Sequence, residues 1–341
     1  MKKTVLLIGG AGAIGMFVAE ELVKRGFKVD IITLDDLENT EDITYIKCKA
    51  GEQEYRRILS EKRYGAIVDF LGYSRENCPK YLELFCENTE QYIYLSSYRV
   101  YADEEHPITE KAPKLIDVYK DDAKMMEINT YPILKSQCEN IIRASKYSNK
   151  ITVVRPVIAF YRNRLSFITT QFHTLVGRAR EGKKILVPEI ARNVIAGYSF
   201  SGNVGKLLAH LVLNENAYGE DFTLGTDENL TWGQIGEYLE EFLGCEFCWI
   251  DTESYLKYGV INFEGERYGL FNDRGIDRDV DISKVLSVTG LSRDDLMDTR
   301  SAIKQEVENL PEDIYAFDKG LIENNLKVSA TSDEYLKMIG E

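Results

Sequence analysis

The chain has 341 residues, 44% of them apolar and 29% charged, a balance ordinary for a globular enzyme and long enough to bury a sizeable core. Lys and Arg number 42 against 56 Asp and Glu, a net charge of −14, and that field repels phosphate backbones, so nucleic acid is disfavoured as a partner. No run approaches the ~20 apolar residues of a membrane span, and the opening stretch lacks the apolar core of a signal peptide, so a cytoplasmic chain is expected.

In chain order, Thr4–Ile8 reads as a short buried strand followed by a glycine-rich turn. Ile14, Phe17, Val18 and Leu22 then share one helical face, with Gly26 where a C-terminal cap belongs. Further strands are predicted at Lys28–Thr33, Ile43–Cys48, Ala66–Phe70, Gln91–Leu95 and Ile151–Arg155, most of them separated by helix-like stretches. Such alternation with apolar strands predicts an α/β fold with a doubly wound parallel sheet. Tyr101–Thr130 is polar, holds Pro107 and Pro113, and is long for a connection; segments of that kind are more often functional or mobile than inert. Beyond residue 160 the segments shorten, with helices predicted at Ser166–Glu181, Asn203–Leu213 and Thr231–Leu243. Residues 1–160 are assigned to the sheet domain, with Asp221–Leu224 returning to it as a strand. Residues 161–341 are read mainly as a smaller α+β substrate domain over the carboxyl edge of the sheet.

Cys48, Cys78, Cys86, Cys138, Cys245 and Cys248 are scattered through the chain and read as reduced thiols. Cys245 and Cys248 form one C-x-x-C, but a structural zinc needs a second ligand pair, so no metal is expected. His106, His173 and His210 form no ligand pattern.

Gly9-Gly10-Ala11-Gly12-Ala13-Ile14-Gly15 follows the first strand and opens a helix. Glycines here permit a tight turn, close backbone approach to a pyrophosphate and close helix–strand packing. The helix N-terminus offers free N–H groups and the positive end of its dipole to phosphates. Gly9, Gly12, Ala13, Ile14 and Gly15 are therefore candidates for binding a dinucleotide, on a Rossmann-type fold. The residues fit both G-x-G-x-x-G, from Gly10, and G-x-x-G-x-x-G, from Gly9.

The second spacing resembles the short-chain dehydrogenase/reductase superfamily, in particular its extended branch of NAD-dependent epimerases, dehydratases and reductases. In NAD-binding members of that superfamily an acidic residue ends the second strand and binds the adenosine ribose. By spacing, that position here is Thr33, a departure, and Asp35 or Asp36 could reach the ribose instead. No Arg lies nearby to pair a 2′-phosphate, so NAD is expected over NADP, which is not excluded.

Two patches carry chemistry. Leu95-Ser96-Ser97 ends a strand at the carboxyl edge, where catalytic groups gather in doubly wound sheets. Tyr131 and Lys135 lie four residues apart on one face of a helix predicted to begin near Thr130, its N-cap, and Pro132. A phenol has a reference pKa of about 10, and a neighbouring ammonium favours the phenolate. Tyr131 would then remove a hydroxyl proton as hydride leaves the same carbon, with Ser97 bonding the reacting oxygen. These roles match the Ser/Tyr/Lys set of the superfamily, in which Lys135 would also bind the nicotinamide ribose.

The resemblance extends to Val153-Val154-Arg155-Pro156, where Pro156 would pass beside the nicotinamide, and to Leu71, Gly72 and Tyr73, in the place of the fourth-strand loop near the cofactor. His106–Glu110 and Leu230-Thr231-Trp232 resemble further loops of epimerases. The 4,6-dehydratases carry Asp-Glu directly after the strand-end Ser or Thr, whereas Tyr98-Arg99 stands here, so dehydration is not expected. Arg99 is either a phosphate ligand or an exposed side chain. Arg162, Arg164, Arg178, Arg180, Lys183, Lys184 and Arg192 make a locally basic segment, a candidate for binding a nucleotide diphosphate or else a charged surface.

The resemblance implies an enzyme acting on a sugar hydroxyl, with a nucleotide sugar as small-molecule substrate and a 4-epimerase favoured over a ketoreductase. The resemblance also implies a homodimer. Stem-loop-binding relatives in chloroplasts keep an RNA-binding alternative open, against which the net charge speaks. A non-catalytic dinucleotide sensor is a third alternative, against which the presence of both Tyr131 and Lys135 speaks.

Overall fold

The computed structural model describes residues 2–128, 130–260, 262–315 and 322–341. Its strands are β1 (Thr4–Ile8), β2 (Lys28–Thr33), β3 (Ile43–Lys47), β4 (Tyr64–Asp69), β5 (Thr89–Leu95), β6 (Ile151–Pro156), β7 (Ile158–Phe160), β8 (Ile185–Pro188), β9 (Tyr198–Phe200), β10 (Asp221–Leu224) and β11 (Phe247–Ile250). Its helices are α1 (Gly15–Lys24), α2 (Glu52–Glu61), α3 (Cys78–Glu87), α4 (Leu115–Val118), α5 (Ala123–Ile128), α6 (Thr130–Ala144), α7 (Phe172–Arg180), α8 (Ser201–Leu211), α9 (Trp232–Leu243), α10 (Thr252–Tyr258), α11 (Phe263–Gly269), α12 (Ser283–Thr289), α13 (Thr299–Glu308) and α14 (Ile322–Ile339). Among the described residues no helix is long and apolar enough to cross a membrane.

The central sheet has seven parallel strands in the order β10-β6-β5-β4-β1-β2-β3. It is a Rossmann-type doubly wound sheet, and both its faces are covered. Val5, Leu7, Val29, Ile31, Val68 and Ile93 point into one apolar cluster, which includes Val18 and Leu22 of α1, Leu207 of α8 and Val285 of α12. Their alternates Leu6, Ile8, Ile32, Ile67, Tyr92 and Val153 face the other cluster, with Tyr55 of α2, Phe85 of α3 and Ile142 of α6. A period of two with both sets apolar is what burial on both faces requires.

The chain divides into two compact units, Met1–Ala159 with Ser201–Asp227 and Val280–Leu296, and Phe160–Phe200 with Glu228–Asp279 and Met297–Glu341. The return to the first unit is thus larger than the single strand near 221–225: α8 and α12 come with it. Gly205 of α8 lies so close to Phe17 of α1 that a Cβ would stand 2.6 Å from the Phe17 Cβ. In the second unit, β8 pairs in parallel with β11, and Leu186, Ile250, Tyr255, Leu256, Tyr335 and Leu336 form a small core.

Two predicted helix starts move. The helix predicted from Ser166 begins at Phe172, because residues 167–170 form a tight turn closed by hydrogen bonds between Phe167 and Thr170 in both directions, with Ile168 at φ 54°. At α6, Thr130 is the first helical residue and not the N-cap, whereas Thr231 does cap α9, in a capping box with Gln234. The Tyr101–Thr130 connection is tied down at its start: Tyr101 bridges Lys114, Ala102 N–H donates to Pro113, and Ile108 bridges Val280.

Candidate functional site

The nucleotide end is built from backbone. Gly9 sits at φ +73°, a left-handed conformation that side chains rarely adopt, and its N–H donates to the Ile32 carbonyl at 2.9 Å. A Cβ on Gly15 would strike the Gly10 carbonyl, so α1 starts hard against the loop. A Cβ on Gly12 would meet no protein atom within 4 Å, so packing does not demand glycine there. No side chain caps α1, although the Met16 N–H donates to the Gly12 carbonyl at 3.1 Å, and the positive end of the helix dipole faces the loop.

Beside this loop lies a cavity of about 390 Å³, lined by Gly9, Gly12, Thr33, Asp35 and Leu71 from the predicted set, together with Ala11, Ile32 and Leu34. Cys48, Lys49 and Ala50 complete its wall. Sequence reasoning missed these three because no local pattern marks them: they reach the cavity only because β3 pairs with β2, with Lys47 opposite Thr33. The Thr33 hydroxyl accepts from the Asp35 N–H at 3.1 Å and donates to the Asp35 carboxylate at 3.2 Å. Asp36 instead pairs with Lys47 at 2.8 Å in solvent. Of the two candidate acids, Asp35 lines the cavity, and Thr33 orients it. A pyrophosphate fits the α1 N-terminus and a ribose diol fits the Asp35 carboxylate, so the residues present suit a dinucleotide.

The other end of the candidate site forms where β5 leaves the sheet. Ser97 is buried and extended, and its Oγ accepts from the Arg99 N–H at 3.3 Å, capping the short turn Tyr98–Val100. That turn packs against α6. On α6, Tyr131 is 47% exposed and Lys135 only 5%. The Lys135 ammonium donates to the Leu95 carbonyl at 2.6 Å and stands 6.0 Å from the Tyr131 ring centroid and 4.9 Å from that of Tyr94. It also lies 3.9 Å from where Gly72 would carry a Cβ. Burial lowers the Lys135 pKa, and the Asp69 carboxylate opposes that fall. The Arg99 guanidinium also lies over the phenol of this pair, 5.7 Å from the Tyr131 centroid.

Behind Lys135 is a buried carboxyl that sequence reasoning did not single out. Asp69, at the end of β4, accepts from the Leu71 N–H at 3.0 Å and from the Tyr92 hydroxyl at 2.8 Å. Burial raises its pKa to about 6 against those bonds and the Lys135 charge. Its bond to Leu71 holds the loop carrying Leu71 and Gly72. The Tyr73 hydroxyl lies 3.1 Å from the Tyr55 hydroxyl and also bonds the Asp69 carboxyl, and its ring stands 4.5 Å from that of Tyr81. Pro156 is the last, buried residue of β6, opposite Leu224. Ala13 and Ile14 lie in the turn before α1, outside the cavity wall.

The rotation of α6 is set by charge. Glu139, one turn beyond Lys135, accepts two bonds from fully buried Arg155 at 3.0 and 2.8 Å and one from Lys114 at 2.6 Å. Arg155 also donates to Asp221 at 2.6 Å and to the Tyr101 hydroxyl at 2.9 Å. Burial acts to raise the Glu139 carboxyl, and Arg155 and Lys114 overcome it, holding it at about 2. Arg155 thus joins β6, α6, β10 and the Tyr101–Lys114 loop.

In the second unit the basic segment is largely consumed by structure. Buried Arg178 bonds Ser329, the Lys184 carbonyl and Asp333. Arg180 caps the carbonyls of Pro311 and Glu312, Lys183 pairs with Asp333, Lys184 with Glu246, and Arg192 with Glu189. These cations do not form the phosphate cluster that their crowding in sequence suggested. All six cysteines are free thiols, with Cys248 in β11 and Cys245 just before it.

No family model and no curated protein matches the sequence. Solved structures do match. An epimerase, Mth375, from Methanothermobacter thermautotrophicus superposes with TM-score 0.70 at 16% identity, over 94% of each chain. A UDP-N-acetylglucosamine 4-epimerase from Bacillus cereus gives TM-score 0.65 at 16% identity, over 91% of this chain and 99% of that one. A UDP-glucuronic acid 4-epimerase from Bacillus cereus, in complex with UDP-glucuronic acid and NAD, gives 0.65 at 14% identity, over 89% and 98%. The chain has the Rossmann-type fold of these epimerase structures along nearly its whole length.

Proposed function

We propose that this protein is an NAD-dependent enzyme of the extended short-chain dehydrogenase/reductase type that acts on a hydroxyl of a nucleotide sugar, as a 4-epimerase. The observation that carries the reading is the meeting of two features on one sheet edge. The glycine loop and Asp35 frame a cavity of about 390 Å³ at β1–β3, and α6 carries Tyr131 and Lys135 against the turn after β5, where Ser97 lies.

In this reading the bound nicotinamide supplies the hydride acceptor. The backbone of Gly9–Gly15 holds the pyrophosphate, and Asp35, oriented by Thr33, accepts from the adenosine ribose. The Tyr131 hydroxyl, the exposed member of the set, takes the substrate proton and later returns it. The Lys135 ammonium, anchored on the Leu95 carbonyl, places positive charge beside that phenol, and Ser97 Oγ donates to the reacting oxygen. Gly72 leaves room for the Lys135 side chain, and Asp69 sustains its charge. The reading includes a homodimer, which light scattering would test, and a cytoplasmic setting.

Mass spectrometry of what a freshly purified sample releases on heating tests the reading. Released NAD is expected, because an epimerase recycles its cofactor. Nothing released, with measurable NADP or NAD binding on titration, would favour a ketoreductase that exchanges its cofactor each turnover. No binding of either dinucleotide would sink the reading. Tyr131→Phe is expected to lower turnover at least ~10²-fold, the scale of a lost acid–base group, while NAD binding and thermal stability stay close to the parent.

A further inference from the structure

Cys78 and Cys138 are nucleophilic groups close to Lys135 that the mechanism above leaves unused. We propose that they form a peroxide-sensitive dithiol, which closes to a disulfide and thereby disarms Lys135. The site is new, and its consequence for Lys135 rests on the function proposed above.

The two thiols stand far apart in sequence, and the packing of α3 on α6 brings them into one cluster. Cys78 is the first residue of α3, and Cys138 lies fully buried on α6, one turn beyond Lys135. Cys78 hydrogen-bonds Cys138, and the Cys138 thiol in turn donates to the Tyr73 carbonyl at 3.7 Å. The bond from Cys78, helped by the Lys135 charge, holds the Cys138 thiol below its ordinary value despite burial. Thiolate character is what peroxide attacks. The exposed stretch Ser74–Asn77 runs directly into Cys78, so a molecule as small as hydrogen peroxide approaches the pair from that end. The Cys138 thiolate attacks one peroxide oxygen, the O–O bond breaks, and the leaving hydroxide is protonated to water, giving a sulfenic acid. The Cys78 sulfur then attacks the Cys138 sulfur, the S–O bond breaks, and the departing hydroxide takes the Cys78 proton as a second water. Both thiols are oxidised, by two electrons together, and one peroxide is reduced to two waters. A disulfide holds its sulfurs at about 2.05 Å, closer than hydrogen-bonded thiols, and so draws α6 towards α3. The Cys138 bond to Tyr73 is lost, on the loop whose Gly72 faces the Lys135 ammonium. The negative charge on Cys138 that supports the Lys135 ammonium against burial also disappears. Oxidation thus displaces and weakens the group assigned to the Tyr131 phenol and the nicotinamide ribose.

Treatment of the full chain with hydrogen peroxide, followed by non-reducing digestion and mass spectrometry, tests the pair. NAD titration of the same samples tests the consequence. A cross-linked peptide joining Cys78 to Cys138 is expected. NAD affinity should fall about 5- to 150-fold, the usual span of coupling between two sites, and return with dithiothreitol. Cys78→Ala and Cys78→Ser should bind NAD like the parent before treatment and keep that affinity after it. Thermal melting checks the folding of both, and either one that folds suffices. Absence of the link between Cys78 and Cys138 overturns the proposal, as does a link that leaves NAD affinity unchanged. A loss of affinity that dithiothreitol does not reverse overturns it as well. So does a loss that persists in the Cys78 variants, which would point instead to Cys48 in the cavity wall. If untreated wild-type protein fails to bind NAD, the enzyme reading itself has failed, and the presence or absence of the link then decides the dithiol by itself.

Discussion

At the β1–β3 side of the sheet, the candidate site is shaped by main chain: a left-handed Gly9, a Gly15 against the Gly10 carbonyl, an uncapped helix end and an apolar wall. At the β5–β6–β10 side, it is shaped by buried charge: Arg155 joins Glu139, Asp221 and Tyr101, and Asp69 lies behind Lys135. Under the proposed function, the difference follows from the task. A pyrophosphate is held by N–H groups that cost nothing to preorganise once the loop is folded, so glycines suffice. A proton-transfer pair must be aimed, and a long helix such as α6 can be fixed in rotation by one bidentate ion pair on its inner face.

The comparison can be broken first at the charged side. Glu139→Gln leaves the Arg155 guanidinium buried and short of its bidentate partner, and should cost about 3–5 kcal/mol in chemical denaturation, the scale of breaking a buried pair. The folded Glu139 carboxyl sits at about 2, below its unfolded value. Its stabilising contribution is thus complete above the unfolded pKa and is lost as pH falls from about 4 towards 2; the variant should lack that acid-side loss.

Asp69 has the opposite sign. Its folded pKa, about 6, is raised by burial, so the unfolded chain releases this proton first. Stability should fall as pH rises from about 4 to 6, by on the order of 3 kcal/mol. Asp69→Asn should flatten that part of the stability–pH curve; a slope unchanged from the parent would show that the carboxyl is not held protonated.

The backbone side yields smaller effects and a sharper contrast. Gly15→Ala drives a methyl into the Gly10 carbonyl and should cost about 1–3 kcal/mol in stability, as overpacking does. Gly12→Ala meets no protein atom and should leave stability within about 0.5 kcal/mol of the parent. NAD titration should nevertheless show weakened binding in both. Equal stability losses for the two would mean that Gly12 serves packing and not a ligand.

Much of this was legible locally. The apolar runs located the strands of the sheet because a strand buried on both faces needs uninterrupted apolar residues. Glycine spacing located the loop, and the four-residue spacing of Tyr131 and Lys135 located the helix face, since these are periodicities of a few residues. Partnership was not legible. Which of Asp35 and Asp36 turns to the cavity depends on Lys47, brought alongside by β3. The wall of Cys48, Lys49 and Ala50 exists only through that same strand pairing. Arg155 reads in sequence as half of an Arg-Pro pair; its meeting with Glu139 and Asp221 needs β6, α6 and β10 assembled. The crowding of Arg178, Arg180, Lys183 and Lys184 suggested an anion site until distant carboxylates and carbonyls claimed them. Sequence determined the elements and the loop, because backbone preference and burial period act between near neighbours. Tertiary structure decided the electrostatics, because a charge is defined by the partner that folding brings to it, and nothing in the local pattern names that partner.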